Sequence, residues 1–198
     1  MDLNSFMHEV HANAVAHGFW DVERPIEETM ALIHSEWSEA LEEYRADRPM
    51  YYKVCTNCGE PCMRGGCGDY YDGVCALKNL DPKPEGIAVE LIDGCLRIMD
   101  YLDNVIECIF VDSSECEKLA VACLVEAHYD DVPELPTIVG LLHSLTSECF
   151  SNEEYGNLLA CVGTVFHFIR AHGLDPESII REKHEYNKTR PYKHGKVC

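Results

Sequence analysis

Two acidic pairs, Glu36-x-x-Glu39 and Glu90-x-x-Asp93, have a spacing that puts both members of each pair on one turn of a helix. If the two helices pack together, four carboxylates converge. Uncompensated, such a cluster repels itself, because like charges ~4 Å apart at an effective dielectric near 20 cost roughly 4 kcal/mol per pair. A hard divalent cation relieves that repulsion. A donor set made only of oxygen suits Mg²⁺, with Mn²⁺ as a substitute, and such ions also bridge phosphate oxygens and activate water toward phosphorus. The competing reading is plain solvated helix surface, the ordinary fate of acidic residues. A di-iron bundle needs Glu-x-x-His pairs. Here the partner of Glu90 is Asp93, which favours hydrolysis over oxygen chemistry.

Helices must carry these pairs. Pro25, followed by acidic Glu27 and Glu28, marks a helix start, and the spacing predicts a helix from about Ile26 to Arg45. Met30, Ile33, Trp37, Leu41 and Tyr44 form its apolar stripe. Glu36, Glu39 and Glu43 line up at roughly 60 to 100° from that stripe, on the border between core and solvent. The second pair sits on a helix expected from near Glu85 to about Leu102, with Ile87, Leu91, Gly94 and Ile98 on its apolar face and Glu90, Asp93 and Arg97 beside them.

Around these two, a first helix is expected over Met1 to His17, stopped by Gly18. Less regular helix follows over 103–131, then Ile138 to Phe150, Asn157 to Ala171, and a last helix from Pro176 into a basic tail. No alternating strand pattern is present, so the expected fold is an all-α helical bundle. The run Leu32 to Glu39 overlays Leu141 to Glu148, which suggests a degenerate internal repeat of the central helix pair. In the second copy Glu39 keeps a counterpart, Glu148, whereas Glu36, Glu90 and Asp93 fall on Leu145, Ala160 and Gly163.

The 198 residues can bury a substantial core without staples. With 35 Asp and Glu against 16 Lys and Arg, the net charge of −19 repels polyphosphate, which excludes duplex nucleic acid as a partner and obliges any phosphorylated ligand to find cations locally. No run of about 18 apolar residues exists to span a bilayer, and the start lacks a signal-peptide pattern, so a cytoplasmic protein without a membrane partner is expected. Twelve cysteines are then reduced thiols. The exception is the glycine-rich stretch holding Cys55, Cys58, Cys62, Cys67 and Cys75, where a structural Zn²⁺ and free thiols are both open readings. Trp20 and Trp37 are candidates either for stacking on a base or for the core.

Four segments together carry a likeness: His11-x-x-Ala14-x-x-x-Gly18-Phe19-Trp20, LIHSEWSEALEEYR from Leu32 to Arg45, KPEGIAVELID from Lys83 to Asp93, and KHEYNKTRPYKHG from Lys183 to Gly195. They resemble the MazG-like members of the all-α NTP pyrophosphatase superfamily. The resemblance spans roughly the first 50 residues, 83–102, and 171 to the end. It implies Mg²⁺-dependent cleavage of a nucleoside triphosphate between the α and β phosphates, releasing the monophosphate and pyrophosphate. It also implies that Glu36, Glu39, Glu90 and Asp93 hold the metal, that Lys183, Asn187 and Arg190 meet the phosphates, and that the chain works as a homo-oligomer, a dimer foremost. The expected organisation is a single domain over 1–198, with a Cys-rich insertion at about 50–83 and a helical insertion or degenerate repeat at about 103–171. Two alternatives stand beside it: hydrolysis of another nucleotide phosphoanhydride, such as a phosphoribosyl-nucleotide, and a non-catalytic nucleotide-binding regulatory module.

Overall fold

The computed structural model describes residues 1–56, 70–71, 74–75, 82–106, 112–126, 132–152 and 155–195. Among them are seven α-helices: α1 Leu3–Ala16, α2 Ile26–Arg45, α3 Ile87–Val105, α4 Ser113–Glu126, α5 Leu135–Asn152, α6 Tyr155–Ala171 and α7 Pro176–Lys188. The start of α1 is fixed by Asp2, whose carboxylate accepts from the backbone N–H groups of Asn4 and Ser5. Asp175 caps α7 in the same way, just ahead of Pro176. α2 follows Pro25 and carries Glu27 and Glu28 in its first turn, where the helix dipole favours negative charge.

α3 is the central element. It packs on α1, α2, α6 and α7, while α2 also packs on α5, and α4 covers α6. One continuous buried cluster draws residues from all seven helices, including Phe6, Trp37, Ile92, Cys116, Leu142, Phe166 and Ile180. Leu91 and Ile98 of α3 are wholly buried, as its apolar stripe requires. No helix among the described residues is long and apolar enough to cross a membrane.

Three expectations need correction. The stretch from Pro49 to Pro84 is bounded by regular structure: β1 (Tyr52–Val54) pairs antiparallel with β4 (Lys83–Glu85), with Tyr52 opposite Glu85, and inside it β2 (Tyr70–Tyr71) pairs with β3 (Val74–Cys75). Strands of two or three residues are too short to show alternation. Because Lys83 to Glu85 are held in that ladder, α3 begins at Ile87 and not at Glu85. Tyr44, placed on the apolar stripe of α2, is 43% exposed, since the last turn of α2 runs past the core.

The two segments that overlay in the sequence meet face to face. His34 Nδ1 lies 2.7 Å from His143 Nδ1, with the rings stacked, and Trp37 Nε1 donates to Thr146 Oγ1 at 3.1 Å. Both contacts join residues that the overlay makes equivalent. At Gly163, opposite Asp93 in the overlay, an added Cβ would stand 1.9 Å from the Cys116 carbonyl oxygen, so α4 occupies the place a carboxylate would need.

Candidate active site

The approach of α2 to α3 is set by a missing side chain. A Cβ at Gly94 would lie 2.3 Å from the Trp37 ring, and Trp37 is itself 0% exposed. With this contact the two helices come close enough for their acidic pairs to meet. The start of α3 is equally constrained. Gly86 has φ of 111°, a left-handed value, and a Cβ there would meet the Pro49 carbonyl oxygen at 2.7 Å. The Ala88 N–H donates to the Met50 carbonyl at 2.8 Å, tying α3 to the end of the preceding loop and leaving Glu90 in its first turn.

Glu36, Glu39 and Glu90 each offer a carboxylate oxygen within 4.8 Å of the others. Glu36 is buried, Glu90 half-buried and Glu39 exposed. Asp93 is not part of this trio and is instead paired with Lys183 Nζ at 2.8 Å. Arg97 Nε likewise binds Glu36 Oε1 at 2.5 Å. The four carboxylates expected to converge are therefore divided: three gather, and two of the four carry a cationic partner from the protein itself.

All seven residues named for the metal and the phosphates border one cleft of about 360 Å³. Glu36, Glu39, Glu90 and Asp93 come from α2 and α3; Lys183 and Asn187 come from α7, and Arg190 follows it. Sequence reading missed Lys83, Arg24, Arg97, Asp100 and His184, which border the same cleft. Arg97 and Asp100 had a signal, since positions 90, 93, 97 and 100 form one stripe along α3.

The charges are strongly perturbed. Burial, with the neighbouring Asp93 charge behind it, pushes the Glu90 carboxyl up to about 8. Burial also raises Glu36, against the pull of Arg97. For Lys183 burial opposes the charge, yet Asp93, Glu90 and Glu85 outweigh it and its pKa is raised, so the ammonium stays charged. Two buried atoms in residues bordering the cleft, His184 Nε2 and Asn187 Oδ1, have no hydrogen-bond partner among the described residues. Such orphans call for a ligand or solvent partner.

These features fit a hard divalent cation. The trio supplies only carboxylate oxygen, and Glu36, Glu39 and Glu90 could hold the ion. Among the described residues they form the one group of His, Cys, Asp or Glu at metal-ligand separations. Of the cysteines considered for zinc, Cys58, Cys62 and Cys67 lie outside the described residues, Cys75 is on β3, and Cys55 is fully buried.

The two tryptophans divide. Trp37 belongs to the core and offers no face to a ligand. Trp20 lies beside the cleft, where its Nε1 donates to Asp100 Oδ1 at 2.8 Å; His11 Nδ1 is 2.8 Å from the same oxygen, and the two rings meet edge to face. Comparison of the chain with protein-family models, curated proteins and solved structures finds no match.

Proposed function

We propose that this chain is a Mg²⁺-dependent nucleoside triphosphate pyrophosphohydrolase of the MazG-like, all-α type, cleaving NTPs or dNTPs between the α and β phosphates. The observation that carries the reading is that one cleft is bordered both by Glu36, Glu39 and Glu90 and by Lys183, Asn187 and Arg190. A protein of net charge −19 repels a polyphosphate at long range, so a substrate of this class needs local cations. The cleft supplies them in Lys183, Arg190, Arg97, Lys83 and Arg24.

Glu36, Glu39 and Glu90 would hold the metal, with Asp93 joining them once released by Lys183. Bound there, Mg²⁺ supplies charge neutralisation, a bridge to phosphate oxygens and activation of a water nucleophile. One of the clustered carboxylates would orient or deprotonate that water, and Glu39 is the exposed member of the three. Lys183 and Asn187 stand four residues apart on one face of α7 and reach one ligand together. The buried Asn187 Oδ1 and His184 Nε2, without hydrogen-bond partners among the described residues, would meet their needs with substrate or its water. On this reading the working unit is a dimer, and the compartment is the cytoplasm.

The test is a panel of canonical and damaged NTPs and dNTPs, assayed for monophosphate and pyrophosphate with and without Mg²⁺. Pyrophosphate released only with the metal supports the proposal. Tight nucleotide binding without turnover would instead support a regulatory module, and products from a phosphoribosyl-nucleotide alone would move the substrate class.

A further inference from the structure

We infer that Arg97 is a built-in counter-ion that exchanges partners, leaving Glu36 when a divalent cation enters the cleft and pairing its guanidinium with the polyphosphate instead. The inference rests on the hydrolase reading above and assigns a residue that neither composition nor the resemblance placed in the site.

Glu36 is 5% exposed and sits within 4.8 Å of Glu39 and Glu90. A buried carboxylate facing two others cannot remain ionised without a cation. Arg97 is that cation. Its Nε donates to Glu36 Oε1, while its side chain is 31% exposed and borders the cleft. Glu36 is its sole carboxylate partner among the described residues, so the other guanidinium N–H groups remain available to a ligand. A guanidinium and a divalent cation on one carboxylate repel each other strongly. Arg97 therefore swings away when the metal binds, and the planar fork it presents matches a phosphate.

Position supports the exchange. Arg97 lies one turn beyond Asp93 on the stripe of α3 that carries Glu90 and Asp93. Arg97 borders the same cleft as Glu36, Glu39 and Glu90, so a phosphate drawn to an ion held there would be met by its side chain. Lys183 stands in the same relation to Asp93, 97% buried and bound to it at 2.8 Å. Each cation masks a carboxylate of the cleft, and together they couple metal entry to anion entry.

The experiment compares Arg97→Gln with the wild-type chain by calorimetric titration with Mn²⁺ alone, and by KM for the triphosphate hydrolysed best at saturating Mn²⁺. Arg97→Gln should bind Mn²⁺ about 10-fold more tightly, which is roughly 1.4 kcal/mol, while KM rises on the order of 10-fold by loss of a charged phosphate contact. Arg24→Gln removes equal charge from a half-buried residue that borders the cleft but pairs with Glu28 and with none of the three clustered carboxylates, and should leave Mn²⁺ affinity within about 2-fold of wild type. Should Arg97→Gln fail to fold, Arg97→Lys keeps the charge without the fork and should show both changes at smaller size. Mn²⁺ affinity unchanged or weakened in the Arg97 variant, or an equal gain in Arg24→Gln, overturns the exchange. Absence of Mn²⁺ binding in the wild-type chain would sink the hydrolase reading itself, whereas Mn²⁺-dependent turnover with an indifferent Arg97 sinks this inference alone.

Discussion

The ring of Trp37 fills the space that a side chain at position 94 would take, with its nearest carbon 2.3 Å from where that Cβ would stand. Gly94→Ala must then either push α2 from α3 or turn Trp37 out of the core. Overpacking of this kind costs about 1–3 kcal/mol. We expect a lower Tm together with weaker Mn²⁺ binding, because Glu36 and Glu39 ride on α2 while Glu90 rides on α3. Gly140 gives the contrast: it is exposed within α5 and has nothing within 4 Å of an added Cβ, so Gly140→Ala should stabilise by roughly 0.5–1 kcal/mol. Equal effects from the two changes in thermal melts would refute the close-packing account.

Glu39→Gln should abolish hydrolysis and leave helicity unchanged. Glu39 is exposed, so the amide disturbs no buried packing, yet it removes one of the three carboxylates of the trio. Far-UV circular dichroism and pyrophosphate release measure the two halves. Turnover retained at the wild-type level contradicts the metal assignment.

Removing Lys183 alone should be more harmful than removing it together with its partner. Lys183→Met leaves Asp93 facing Glu90 without compensation and should destabilise by about 2–4 kcal/mol, near the range for breaking a buried ion pair. In Asp93→Asn/Lys183→Met most of that loss should return. A thermodynamic cycle over the four proteins gives the coupling; additive losses would show that the pair is not energetically linked.

The His11–Asp100 contact gives a pH dependence. The hydrogen bond that His11 donates to Asp100, opposed by burial and reinforced by the charges of Asp100 and Asp103, raises the His11 pKa above its ordinary value of 6.5. A raised folded-state pKa means that the pair's contribution is full below about 6.5 and is lost as pH rises through the raised value. The pair is partly solvated, so the effect is about 0.5–1 kcal/mol. His11→Gln should lower Tm at pH 6 and change it little at pH 9. A loss as large at pH 9 as at pH 6 would point to packing on Trp20 as the cause.

The readable and unreadable parts of the molecule differ in physical range. α2 was legible to its bounds, Ile26 and Arg45, because Pro25, Glu27, Glu28 and the apolar stripe are signals carried within one helix. The two acidic pairs of the cleft were legible as candidates for the same reason, since spacing put Glu36 with Glu39 and Glu90 with Asp93, whereas Lys183, Asn187 and Arg190 entered only as what the resemblance implies. Which carboxylate takes which cation was not legible. Arg97 stands on the helix of Glu90 and Asp93 yet binds Glu36 of α2, and Lys183 reaches back to Asp93; both depend on how α2, α3 and α7 pack. The ladder of β1 and β4 was hidden because its strands lie 28 residues apart and are three residues each. The role of Trp37 needed Gly94, a residue whose importance is the absence of a side chain.

Thr146 of α5 accepts the indole N–H of Trp37 and in turn donates to the Leu142 carbonyl within α5. The half of the chain that lacks three of the four acidic residues thus sets the tilt of the ring on which the acidic half depends. Damage to α5 would surface as poor cation affinity in a protein whose every ligand is intact, and a search for the fault confined to the cleft would miss its origin.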